Sequence, residues 1–276
     1  MVGRPRVVRP SSFEPQAGGH LAGSVQALER GLNLLAIIAE ADGLSLTSIA
    51  QRAGIAPSTA HRILNTLKAG GFVQDDDQGR YLIGVQAFRT GSAFLRNRKM
   101  ADVGRRTMRH LMETSGETIN MAIENDGFVV FVAQVESHQS IRAFHRPGAR
   151  GPMHASSLGK AMMAALSDEA VSQLLHRVGM ARFTKGTIVD PETLLADLAL
   201  VRKRGWSIDD QEQAEGLRCV GAAIYNEHTE VMGAISISGP TVRVTDERLG
   251  ELGPMVKRAA AEITERVGGR IPEAEH

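Results

Sequence analysis

The chain has 276 residues, of which 42% are hydrophobic and 23% charged, with a net charge of +1; this supports one large or two ordinary folded domains and excludes a wholly disordered chain. Its one cysteine, Cys219, excludes an internal disulfide and a thiolate-based zinc cluster and fits a reducing compartment. Residues 1–100 hold 12 Lys or Arg against 7 Asp or Glu, and residues 101–276 hold 20 against 24. A basic front on an acidic remainder suits a polyanion-binding module joined to a domain with other work.

The opening "MVGRPRVVRP" is basic, but no apolar run follows it, so it does not read as a signal peptide. No stretch approaches the uninterrupted apolar length of a membrane span. The expectation is a cytoplasmic protein with no membrane partner. Residues 1–23, with their prolines, glycines and Arg4, Arg6 and Arg9, read as a disordered basic arm.

Residues 24–84 read as one small domain. "SVQALERGLNLLAIIAEAD" places Val25, Leu28, Leu32, Leu35, Ile38 and Ala39 at helical spacing. "SLTSIAQRAG" predicts a short second helix, capped by Ser45 and stopped near Gly54. "GIAPSTAHRILNTLKAGG" predicts a third, with Pro57 in its first turn and Gly70-Gly71 ending it. "FVQDDDQGRYLIG" predicts two short strands, 72–74 and 80–83, joined by a polar turn. Three helices and a β-hairpin make a winged helix-turn-helix. In that motif the second helix of the pair enters the major groove of double-stranded DNA while its apolar stripe anchors it. Ala60, Ile63, Leu64 and Leu67 supply the stripe. Pro57, Ser58, Thr59, His61, Arg62 and Asn65 are the candidate DNA-facing residues, since Arg can grip guanine, Asn can pair with adenine, and hydroxyls at a helix start suit a phosphate. Arg80 is the candidate wing contact, with the alternative that it balances Asp75, Asp76 and Asp77.

Residues 85–100 read as a linker helix and 101–268 as an α+β domain, leaving 269–276 as a tail. Gly91 and Gly104 argue against one uninterrupted helix over 85–112. Strands are predicted at "TINMAIENDGFVVFVAQVES" and "SIRAFHR", helices at 157–166, 168–177 and 191–203, strands at "CVGAAIYNE" and "VMGAISISGP", and a helix at about 246–267. Strands on both sides of a helical block suggest a curved antiparallel sheet covered by helices. Three polar sites stand out within it. "PMHASSLGKA" passes into a helix, leaving N–H groups near Ser157 and Leu158 for an anion. "WSIDDQEQAEGLRCVGAA" offers Asp209 and then Cys219 at a strand start. In "ISISG", Ser236 and Ser238 share one face; the alternative is a solvated strand face.

The run from Ser24 to Val73 resembles the N-terminal domain of the IclR-type (isocitrate lyase regulator) transcriptional regulators. "PMHASSLGKAMMA", "EGLRCVGAAIYN" and "AISISGP" are similar to that family's effector-binding domain. The resemblance covers residues 24 to about 268. It implies a GAF-like second domain that also oligomerises, a homodimer or homotetramer on a palindromic operator, and control by a small metabolite. It further implies an effector site at Ser157 and Leu158 (through backbone N–H groups), Asp209, Leu217, Cys219, Ser236 and Ser238, as in relatives that bind 2-oxo acids such as glyoxylate. Ser140, Ala143 and Gly151 depart from the bulky apolar wall of the glyoxylate-responsive pattern, which leaves an aromatic acid as the alternative effector. Repression is the family's commoner habit, with activation the alternative.

Catalysis is not expected: Cys219, His154 and Asp209 could be assembled into a nucleophile, base and orienter, but no spacing requires them to meet and no catalytic signature accompanies them. No cofactor is implied, and His138, His145 and His154 lack a metal-ligand pattern. A ligand-free architectural DNA-binding protein is the remaining alternative.

Overall fold

The computed structural model describes residues 25–96 and 99–272; the expected basic arm and the last residues of the expected tail lie outside them. The described residues divide into two compact units between Arg96 and Lys99.

The first unit contains α1 (Gln26–Ala39), α2 (Leu46–Ala53), α3 (Pro57–Ala69), a hairpin of β1 (Val73–Asp75) and β2 (Tyr81–Ile83), and α4 (Val85–Arg96). Local chemistry sets its element ends. The Ser45 hydroxyl accepts from the Ser48 N–H to cap α2, and Gly54 closes that helix at φ 63°. Pro57 occupies the first turn of α3, where its missing N–H costs nothing. Leu34, Ile38, Ile49, Ala60, Leu64 and Val73 form the core.

The stripe expected on α1 needs correction. Val25, Leu28 and Leu32 are 66, 60 and 59% exposed, and the buried face is Gly31, Leu34 and Ile38. The helix carries two apolar stripes, and α3 packs beside the one that includes Gly31, where a Cβ would lie in ordinary contact with Ile63 at 3.7 Å.

The second unit contains α5 (Lys99–Ser115), β3 (Thr118–Asn125), β4 (Phe128–Val135), β5 (Arg150–Pro152), α6 (Ser157–Met163), α7 (Asp168–Val178), α8 (Pro191–Arg204), β6 (Ser207–Asp210), β7 (Leu217–Tyr225), β8 (Val231–Pro240) and α9 (Asp246–Arg266). The strands form one antiparallel sheet in the order β5-β4-β3-β8-β7-β6. Helices α5 and α9 pack on one face, and α6, backed by α8 and α7, packs on the other. Gly104 does not break α5: with no side chain, it lets the helix close on Met121 and Ile263.

Three expectations fail here. "SIRAFHR" is a strand only in expectation; residues 140–146 are irregular apart from one bridge residue at Ala143, and the edge strand is Arg150–Pro152. β6 was not expected, because its inward residues Ser207 and Asp209 are polar and hide the usual alternation. Cys219 also lies inside β7 rather than at its start.

On the α6 face the sheet is divided. Ala122, Val129, Phe131 and Ala234 join Met153, Leu158, Met162, Leu174 and Leu198 in a dry core. The other end of the same face is polar, and it carries the candidate site.

Candidate functional site

On α3 the two faces separate as the spacing requires. Ala60 and Leu64 are buried, Ile63 and Leu67 half-buried, and Pro57, Ser58, His61, Arg62 and Asn65 exposed, with Thr59 half-buried. Neither Ser58 nor Thr59 caps the helix, whose N-cap Ala56 has no side chain to do so. The wing is less acidic than its sequence suggests. Lys68 reaches Asp75 at 2.6 Å, and its hydrogen bond holds that carboxyl below the usual range. Asp76 accepts from the Arg80 N–H and from Arg80 Nε, both bonds lowering its pKa; the latter spans 2.8 Å. The Arg80 side chain is therefore committed to balancing Asp76, and a phosphate would have to compete for it.

At the polar end of the sheet, cross-strand register aligns the candidates in two rows. Gln134, Asn120, Ser236, Gly221 and Ser207 are successive neighbours across β4, β3, β8, β7 and β6. Thr118, Ser238, Cys219 and Asp209 form the second row. Ser236 and Ser238 are 1 and 2% exposed, which rules out a solvated face. The first turn of α6 rests on the first row: the Ser207 hydroxyl donates to Ser157 O at 2.6 Å. A Cβ on Gly221 would stand 2.8 Å from the same oxygen, so only glycine admits the helix this close. Ser156 caps α6 through Gly159 N, while helix geometry leaves the Ser157 and Leu158 N–H groups without partners inside α6. Leu217 packs with Cys219 and Ala143 beside the second row. Of the expected wall residues, Ala143 thus lies at the site, Gly151 faces Phe131 and Gln213, and Ser140 is exposed on the surface.

Sequence reasoning missed the charges behind this site. Lys160, on α6, is 2% exposed; its Nζ donates to Glu212 Oε1 at 2.5 Å and to Asp197 Oδ2 at 2.9 Å. Burial opposes the ammonium, but Glu212 and Asp197 outweigh it and hold its pKa above the ordinary lysine value. Burial pushes Glu212 up despite its cationic partner. Asp209 is pushed up to about 7 by burial and then by the charge of Glu212, against the pull of Lys160 and of the Glu212 and Gln213 N–H groups. Only long-range partners reveal this cluster; the Lys in "SSLGKA" was the one available signal.

The triad assembled on paper does not form. His154 Nε2 bonds Ala181 O at 2.9 Å, and its ring tilts against Phe183. Cys219 is instead flanked by Asp209 and Ser238, and burial, with Asp209 adding to it, pushes the thiol well above its ordinary value, the opposite of nucleophile activation. His145 stacks on Phe131 at 4.1 Å and burial drives its pKa down to about 4, so it is neutral. Among the described residues no group of His, Cys, Asp and Glu is placed to hold a metal, and no helix is long and apolar enough to cross a membrane.

A winged helix-turn-helix joined to an antiparallel sheet with a buried polar face has the plan of a transcriptional regulator with its own sensor domain. Residues 27–77 match the family model of the IclR helix-turn-helix domain, and residues 92–265 match that of the bacterial transcriptional regulator IclR C-terminal region. The chain is 48% identical over 251 residues to the transcriptional repressor IclR of Escherichia coli K12, covering 90% of this chain and 92% of that one. It is 38% identical over 262 residues to the repressor AllR of the same strain, covering 94 and 95%. The crystal structure of Thermotoga maritima IclR superposes with a TM-score of 0.76 at 28% identity, covering 87% of this chain and 98% of that one. The chain belongs to the IclR family of bacterial transcriptional regulators. It is a DNA-binding regulator responsive to a small-molecule effector.

The buried charges make one consequence measurable. Lys160→Met should destabilise the second unit by about 3–5 kcal/mol in urea unfolding, because it strands Glu212 without a counter-charge. Lys160→Met combined with Glu212→Met should recover much of that loss; equal instability of the two variants would show that side-chain packing, not charge, sets the cost.

Proposed function

We propose that this chain is a repressor that reads a palindromic operator through α3 and is controlled by a small 2-oxo or 2-hydroxy carboxylate, glyoxylate foremost, bound between the first turn of α6 and the polar end of the sheet. The observation that carries the effector reading is a set of buried, uncharged donors on two packed elements: the Ser157 and Leu158 N–H groups at the start of α6 and the Ser236 and Ser238 hydroxyls on β8. The names of the two Escherichia coli relatives, both repressors, support repression over activation.

Asp209 belongs in the site on chemical grounds. An ionised carboxylate would repel an anion, but a carboxyl with a pKa of about 7 is largely protonated below neutrality and can donate a hydrogen bond. The direction follows: a carboxylate effector binds best while Asp209 keeps its proton and loses affinity as pH rises through 7. A larger aromatic acid is the second reading, favoured by the small Ala143 beside Leu217 and Cys219.

Calorimetric titration with glyoxylate, pyruvate, glycolate and benzoate at pH 6 and pH 8 tests this. Ser236→Ala and Ser238→Ala should each cost roughly 1.5–3 kcal/mol of binding to the best acid, and Asp209→Asn should flatten the pH dependence. Unchanged affinity in both serine variants would put the site elsewhere.

For DNA, the exposed Arg62 and Asn65 are the base-reading pair, with Ser58 and Thr59 toward phosphate, Pro57 and His61 beside them, and Arg80 available only by giving up Asp76. Arg62→Ala should cost about 1–3 kcal/mol on the operator and far less on random duplex; equal losses on both would remove Arg62 from base reading.

One recognition helix reads few base pairs, so a two-fold assembly is part of the proposal. Leu28 and Leu32 on α1, Val25 just before it, and Val85 and Phe88 on α4 are exposed apolar residues of the first unit suited to pairing. Analytical ultracentrifugation should find dimers or tetramers, and a monomer both with and without operator DNA would contradict it.

A further inference from the structure

Two amide side chains at the polar end of the sheet belong to no motif. Asn120, fully buried in β3, faces Ser236 of β8 on one side and Gln134 of β4 on the other. Both ends of its carboxamide are engaged across strands. Gln134 Nε2 donates to Asn120 Oδ1 at 2.7 Å, and Asn120 Nδ2 donates to Ser238 Oγ at 3.1 Å. The neighbours of Asn120 on the same face of β3 are Thr118 and Ala122, both buried. An amide among them is tolerated only because it is paired.

The direction of these bonds has a consequence. A hydroxyl has one hydrogen, and an oxygen that already accepts from Asn120 keeps that hydrogen for another partner. Ser238 can then donate only to what lies on its other side, where Ser236 is at 3.5 Å and Cys219 is the cross-strand neighbour. Flipping Asn120 alone would set two NH2 groups against each other at Gln134. Flipping both amides would reverse the chain and turn the Ser238 hydrogen toward Asn120. Beside an anion, which accepts and never donates, only the first arrangement satisfies every atom.

We infer that Asn120, held by Gln134, is a positioning residue that commits the Ser238 hydroxyl to donate and thereby makes the site select carboxylates over neutral amides of the same shape. This rests on the effector site proposed above. A primary amide presents an N–H group where the acid presents oxygen; Ser238 could meet it only with its remaining lone pair, which leaves the committed hydrogen without the anionic acceptor that the acid supplies.

The test is the ratio of dissociation constants, amide over acid, measured by calorimetry for glyoxylate, pyruvate and benzoate, each against its primary amide. The parent protein should prefer the acid at least about ten-fold, the scale of one charge-assisted hydrogen bond. Asn120→Asp, nearly isosteric, replaces the donor by an acceptor and should lower that ratio about ten-fold. Gln134→Met, neutral and at a half-buried position, frees the Asn120 amide to flip and should lower it by roughly three-fold. Damage to the fold alone would weaken acid and amide together and leave the ratio unmoved. An unchanged ratio in Gln134→Met overturns the inference even if Asn120→Asp fails to fold, provided that Ser238→Ala weakens acid binding. If neither Ser236→Ala nor Ser238→Ala changes acid binding, or the parent binds none of the three acids, the effector site itself falls and the positioning role with it.

Discussion

The interaction on which the second unit depends is the burial of a full ammonium group under α6. Removing a charge of this kind from water costs several kcal/mol even after relaxation, so the fold must bring carboxylates to Lys160 from elsewhere in the chain. Asp197 arrives on α8 and Glu212 on the loop after β6. That loop is pinned in turn, since the Thr187 hydroxyl donates to Glu212 O at 2.7 Å and the Thr184 hydroxyl to Gln211 O at 2.7 Å. The same constraint locks α6 against the sheet, where Ser157 O meets Ser207 and the bare backbone of Gly221.

This arrangement explains why the polar end of the sheet is built of neutral groups. The cation nearest to it is already matched by two carboxylates of its own. An anion entering the site would meet N–H groups, hydroxyls and a carboxyl that burial and Glu212 keep protonated below about pH 7. Neutral donors in a dry site bind an acid without the larger desolvation cost of a free buried cation. Linkage then sets the output: an effector changes operator affinity only as far as it binds the DNA-bound and free forms differently, and DNA changes effector affinity by the same factor.

The DNA-binding unit shows a parallel economy of charge. Three consecutive carboxylates in its wing look hostile to phosphate, yet Lys68 and Arg80 engage Asp75 and Asp76. In the proposed complex the burden of recognition falls on the exposed face of α3, where the Arg62 and Asn65 side chains stand in solvent and the Arg62 carbonyl accepts from the Thr66 hydroxyl.

The sequence by itself determined whatever depends on neighbours a few residues apart. Ser45, Gly54 and Pro57 mark the helix ends because capping is local, and α3 divides correctly into faces because a helix repeats every 3.6 residues. Ser236 and Ser238 could be set on one face because a strand alternates, and the two motif sets in order already implied the family. Only the tertiary structure decided which of two apolar stripes on α1 is buried, that β6 exists, and that Ser140 is exposed on the surface. It alone paired Lys160 with residues 37 and 52 positions away and Asn120 with Ser238 at a separation of 118. The physical reason is the same throughout: burial, a pKa near 7 at Asp209 and the direction of a hydroxyl at Ser238 are properties of surroundings that distant segments supply, and no local period encodes them.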